Sequence, residues 1–192
     1  MVQSILSAVM KDETDPKLRC IVLTAEGNVF SGGHNLKHLA INDGRAVFEH
    51  FNVLMQKIIE SPVPVIASVD GLAAAAGCQL VAQCDIAICT ETSSFSTPGA
   101  NFGVFCSTPG VALVRNVPRK LAAYMLFTGC PITAEVAQKH GLVSHVLKNH
   151  DELEREINRI IDTIKAKSRS VVELGKRFLY KQLDMELKMA YR

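Results

Sequence analysis

Tryptophan is absent from these 192 residues, which carry only three tyrosines and eight phenylalanines. A platform for stacking nucleobases needs aromatic rings, so single-stranded nucleic acid is a poor candidate partner. Concentrated charge is missing as well. The 21 basic and 19 acidic side chains leave a net +2, and no basic cluster gathers it. A surface that tracks a phosphate backbone needs such a cluster, so no nucleic-acid partner is expected. Among Cys20, Cys78, Cys84, Cys89, Cys106 and Cys130 no pair has the spacing of a Cys-x-x-Cys site. They read as reduced, mostly buried small hydrophobes of an intracellular protein, not as staples or metal ligands. No Gly-x-Ser-x-Gly elbow is present, which removes a serine-hydrolase reading. Long apolar runs are lacking too. The longest, 67–82, is interrupted by Asp70, Gly71, Gly77 and Gln79 and falls short of a membrane span, so a soluble protein with no membrane partner is expected. No signal or transit pattern opens the chain.

What is present is an ordinary globular composition, 48% hydrophobic and 21% charged, sized for a single domain over 1–192. Met1 to Met10 reads as the middle of an amphipathic helix with Val2, Ile5, Val9 and Met10 on one side. The last residues to Arg192 also fall inside a helical pattern, so both ends are expected to be cuts in a longer chain. Residues 20–24 form a short β-rich run. The spacing of Phe48, Phe51, Met55 and Ile58 predicts a helix over 44–60. Pro62 and Pro64 break it and launch a strand over 65–69. A helix near 78–82, a strand over 85–89, a helix between Pro118 and Gly129, an N-cap at Thr133, a strand over 142–146 and helices over 151–167 and 170–191 complete the pattern. Buried strands alternating with helices argue for an α/β layering.

Two strand-to-turn junctions could carry chemistry. In the first, Gly32 and Gly33 follow a strand and let the backbone approach a ligand. In the second, a run of alanines from Ala73 leads through Gly77 into a helix start, where free N–H groups favour negative charge. Two such N–H groups from separate loops can clasp one carbonyl oxygen and stabilise an enolate or tetrahedral anion. Each segment by itself is also what a plain turn and a tightly packed helix look like.

The order and wording of these segments resemble the crotonase superfamily, with its Phe-Ser/Ala-x-Gly-x-Asp-Leu and Val-x-Gly-x-Ala-x-Gly-Gly-Gly segments. Here they stand as Phe30-Ser-Gly-Gly-His-Asn-Leu36 and Val69-Asp-Gly-Leu-Ala-Ala-Ala-Ala-Gly77. Pro62-Val-Pro-Val-Ile-Ala67, Cys84-Asp-Ile-Ala87, Phe127-Thr-Gly129 and His140-Gly-Leu-Val143 also match in order, so the resemblance covers essentially the whole chain. It implies an α/β crotonase-like spiral of ββα units, here truncated at both ends and lacking the family's first strand and C-terminal helices. It implies an acyl-CoA or enoyl-CoA thioester as ligand, no separate cofactor and no metal. Homotrimers or hexamers and a mitochondrial matrix location are implied for the full-length protein.

By the same resemblance the backbone N–H groups of His34 and Ala76 form the oxyanion hole. Gly32, His34, Asn35, Leu36, Lys37 and Ala76 contact the CoA thioester, with Lys37 near the phosphates. Two positions depart from the family. Its first catalytic glutamate falls on Gln79, and its second falls on Gly99 after Thr97-Pro98. An amide cannot take a proton and a glycine has nothing to offer, so hydration is expected to be weak or absent. A non-catalytic acyl-CoA-binding or oligomeric regulatory protein is the alternative. His34 is a candidate acid/base, and Cys106, near a helix start, is a candidate thiol as well as a buried hydrophobe. A chain of this extent is also expected to be marginally stable and to expose an apolar face.

Overall fold

A computed structural model describes residues 1–35, Lys37 and 44–192, with Gly44 and Arg45 described in backbone only. Helix α1 (Val2–Met10) precedes strands β1 (Ile21–Leu23) and β2 (Val29–Ser31) and helix α2 (Gly44–Glu60). Two further strand–strand–helix units follow. The first is β3 (Val65–Val69), β4 (Leu72–Ala74) and α3 (Ala76–Gln83). The second is β5 (Ile86–Thr90), β6 (Ser94–Ser96), a 3-10 turn over Pro98–Phe102 and α4 (Ser107–Asn116). The chain continues through α5 (Arg119–Thr128), β7 (Ile132–Thr133), α6 (Ala134–Lys139), β8 (His145–Leu147), α7 (His150–Lys165), α8 (Arg169–Leu183) and α9 (Leu187–Ala190).

The units stack as a spiral. First strands pair with first strands in a parallel sheet of order β1-β3-β5-β8, and second strands pair with second strands in a sheet of order β2-β4-β6-β7. Among the described strands only β7 runs antiparallel to its neighbour. Pleating sends Val65, Ala67 and Val69 of β3 into the main core, while Ile66 of β3 and Ile88 of β5 meet Leu153 and Ile160 of α7. Both faces of its central strands are therefore covered, which is why β3 and β5 are largely apolar.

Helix α2 and strand β3 have the bounds that the apolar spacing and the prolines predict. Thr133 caps α6 by accepting from the Val136 N–H, and the left-handed Gly129 ends α5. Several expectations need correction. Strands β2, β4 and β6 lie where the sequence had suggested no strand. Each is three residues of small or polar character around one or two buried side chains, and ladder pairing supplies what local propensity does not. The last strand sits at 145–147, with Leu142 and Val143 buried in the preceding turn. The helix expected over 170–191 breaks after Leu183, and Met10 faces solvent although Val9 is buried. Among the described residues no helix is long and apolar enough to cross a membrane.

Helix α8 is tied down by a buried cation. The Lys176 Nζ donates to the Asp85 Oδ2 (2.7 Å) and to the carbonyls of Ile58 (2.7 Å) and Val63 (3.1 Å). The same carboxylate accepts from the Val65 N–H and the Tyr180 hydroxyl. Burial holds the Lys176 pKa below its ordinary range, against the raising effect of Asp85. The other side of α8 exposes Val171, Leu174 and Phe178, the last at 59%. That is the uncovered apolar face the sequence led one to expect. Removing the cation leaves Asp85 buried without its counter-charge, so Lys176→Met is expected to lower unfolding free energy by about 3 kcal/mol in denaturant titration.

Candidate functional site

The two glycine-bearing junctions meet. Gly33 adopts φ +90°, a region glycine enters freely. A Cβ placed on it would lie 2.8 Å from the Ala75 Cβ and 3.3 Å from the Ala76 nitrogen. On the other side, a Cβ on Gly77 would lie 2.6 Å from both the Cβ and the carbonyl oxygen of Ser31. These glycines let the segment after β2 lie flat against the start of α3. Ala75, which caps that helix, carries φ +50°, and it is the one non-glycine with positive φ among the described residues. Its N–H donates to the Ser96 carbonyl of β6 (2.9 Å), which holds the strained turn in place. Ala76 is the first residue of α3, so its N–H has no acceptor within the helix.

Above this contact lies a cavity of about 500 Å³, within the range of small-molecule sites. Its wall includes Gly32, His34, Ala76, Gln79, Gly99 and Cys106, brought together from four segments. Asn35 and Lys37 are exposed and lie outside the wall, and Lys37 donates its N–H to the Asn35 Oδ1 (3.0 Å). Leu36 lies outside the described residues, as does His38. Other wall residues were not assigned to a site from the sequence: Phe48 from α2, Phe102 from the end of the 3-10 turn, Val104 and Phe105 from the loop after it, and Ser107, Thr108 and Pro109 from α4. Apolar residues in a glycine-flanked loop, Asn101-Phe-Gly-Val-Phe105, were the available signal. Among the described lining residues there is no Asp, Glu, Lys or Arg.

The titratable groups of the wall are held neutral. The His34 ring packs edge-on against Phe48 (5.5 Å) and Phe51 (5.0 Å), and burial there lowers its pKa. The Cys106 thiol is pushed up by burial, more than the Gly99 N–H that donates to its Sγ (3.3 Å) pulls it down. The candidate thiol therefore behaves as a buried hydrophobe, not an activated nucleophile. Gly99 has no room for a side chain: its Cβ would collide with the Val104 carbonyl oxygen and lie 2.7 Å from the Cys106 Sγ. Gln79 is 4% exposed, and its Oε1 is buried with no hydrogen-bond partner.

The family model described as enoyl-CoA hydratase/isomerase matches residues 1–192. The chain belongs to that family. It is 53% identical to the human protein named "Enoyl-CoA hydratase domain-containing protein 3, mitochondrial", over all of this chain and 64% of that one. The Xenopus laevis protein of the same name is also 53% identical, with 66% of its length covered. The chain thus spans about two thirds of the length of these curated relatives. The crystal structure of the human protein superposes with a TM-score of 0.95 at 52% identity, covering 99% of this chain and 76% of that one. A Mycobacterium smegmatis enoyl-CoA hydratase superposes at 0.96 with 40% identity, covering 100% and 76%. The fold is accordingly crotonase-like, as the motifs implied.

Within that fold the glycines at 77 and 99 hold the site open in different ways, one by loop contact and one by loop closure. Gly77→Ala and Gly99→Ala are each expected to cost about 1–3 kcal/mol through overpacking, read as a fall in thermal midpoint. An equal midpoint in either variant would mean that the contact yields without strain.

Proposed function

We propose that this chain binds acyl-CoA thioesters, with the thioester oxygen held by the backbone N–H groups of His34 and Ala76. The observation that carries the reading is the cavity formed where the segment after β2 meets the N-terminus of α3. Free amide donors at a helix start stabilise a developing oxyanion whatever side chains stand there. In this reading Gly32, Asn35, Leu36 and Lys37 contact the CoA portion, Lys37 as an exposed point charge for phosphate. No separate cofactor or metal takes part. The full-length protein acts in fatty acid metabolism in the mitochondrial matrix, in keeping with relatives whose names carry the word mitochondrial. Assembly as a homotrimer or hexamer belongs to the same reading and would cover the apolar face at Val171, Leu174 and Phe178.

Hydration is the weak part of this activity. Adding water to an enoyl group needs a base for the water and an acid for the carbanion, and the family resemblance puts those roles at Gln79 and Gly99. A lost acid/base group is typically worth about 10²–10⁴-fold. A second reading, a non-catalytic acyl-CoA-binding regulatory protein, is favoured by the filled space beside Gly99. The two separate on turnover, because both require binding.

The deciding assay follows enoyl absorbance of a short 2-enoyl-CoA at high concentration of full-length protein, beside calorimetric titration with the same thioester. Binding is expected, with turnover at least about 10²-fold below that of a hydratase carrying both glutamates. Rates matching such a hydratase would overturn the weak-hydration reading and turn attention to His34. Absence of binding would overturn the thioester reading itself.

A further inference from the structure

The segment after β2 carries few side chains that could hold its backbone in place. Gly32 and Gly33 have none, and those of Asn35 and Lys37 are exposed. Among the described residues 32–35 and Lys37, His34 is the one whose side chain packs inward. Its ring stands edge-on to both Phe48 and Phe51, at interplanar angles of 84° and 81°. These phenylalanines are three residues apart on α2, so one face of that helix presents both rings to the imidazole. The Gly33 N–H donated to the Ser31 Oγ (3.2 Å) steadies the residue before it. An imidazolium would be poorly answered here. The described cavity wall holds no carboxylate, and its other titratable group, the Cys106 thiol, is kept protonated by burial. On α2 the neighbouring Glu49 and His50 are exposed, and on α3 the buried Cys78 thiol is pushed up to about 12. Charging a ring in such apolar surroundings is costly unless the ring leaves them.

We propose that His34 is a positioning residue: its neutral imidazole, wedged against Phe48 and Phe51, fixes its own backbone N–H at the cavity, and protonation releases the ring and with it the grip on a thioester carbonyl. This rests on the acyl-thioester reading given above. The ring moves no proton to or from the ligand, so the role differs from acid–base catalysis. Burial lowers the His34 pKa, which means that the docked ring favours the neutral form. The docked arrangement is therefore complete above the ordinary imidazole value of ~6.5 and is lost as pH falls below it. Linkage requires the reverse as well. A thioester that binds only the docked form lowers the His34 pKa further.

The test is calorimetric titration of full-length protein with butyryl-CoA at about pH 8 and about pH 5, beside His34→Phe and His34→Ala. His34→Phe keeps an edge-on ring that cannot be charged. The unaltered protein is expected to lose about tenfold more affinity over that interval than His34→Phe, a comparison in which titration of the CoA phosphates cancels. With an isotope-labelled carbonyl, the infrared shift of the bound thioester at about pH 8 is expected to be kept in His34→Phe and reduced in His34→Ala. An equal loss of affinity in the unaltered protein and His34→Phe, or a full carbonyl shift in His34→Ala, would overturn the proposal and leave the thioester reading standing. Should neither variant fold, nuclear magnetic resonance of the unaltered protein decides. A His34 imidazole pKa that butyryl-CoA lowers supports the proposal, and one that it leaves unchanged overturns it. Failure of the unaltered protein to bind butyryl-CoA at about pH 8 would overturn both readings together.

Discussion

The site depends on one steric constraint, the contact between the segment after β2 and the first turn of α3. Gly33 and Gly77 occupy the two sides of that contact, and a single methyl on either would fall inside the van der Waals envelope of the opposite backbone. Removing side-chain volume at these two points brings a loop and a helix N-terminus together without intervening water. Strain is admitted at one residue, Ala75, and is answered by its hydrogen bond to Ser96 in the neighbouring strand. The second sheet thus has a function beyond stacking. Its strands β4 and β6 fix the turn from which the helix dipole points into the cavity.

Charge is distributed in the opposite way from catalysis by ionised side chains. The described cavity wall holds no carboxylate or cationic side chain, and burial keeps both His34 and Cys106 in their neutral forms. The well-partnered buried charges lie at Asp85 and Lys176, where they join α8 to the ends of α2, β3 and β5. Polarisation of a ligand at the site would therefore come from fixed backbone dipoles in a mostly apolar setting, where such dipoles act most strongly. Gln79 is consistent with this arrangement, as a neutral group that takes up no proton.

Much of the first sheet was legible in the sequence. Strands β3 and β5 are apolar runs buried on both faces, and the serine–proline segment at 61–64 marks the change from helix to strand. The second sheet was not legible in the same way. Val29-Phe-Ser31, Leu72-Ala-Ala74 and Ser94-Phe-Ser96 are too short and too small for periodicity to register, and they become strands because each finds a partner in the next unit. The division extends to the site. Positions 34, 76, 79 and 99 were accessible through motif wording, whereas the wall from Phe102 to Phe105 was not. That loop closes through the Val104 N–H donated to Gly99 and through the Cys106 thiol, contacts local in space that no residue pattern encodes.

By itself, then, the sequence determined the family, the α/β layering, the near-neutral charge and the identity of the groups at each motif position, because these follow from residue type and order. Tertiary structure alone decided which of those groups share a cavity and which stay outside it, as Asn35 and Lys37 do. It also decided that Gly99 has no space for a longer side chain and that the Gln79 oxygen is left without a partner. The physical reason is that close packing and hydrogen-bond satisfaction belong to pairs of atoms from distant segments, and their geometry exists only once the spiral has closed.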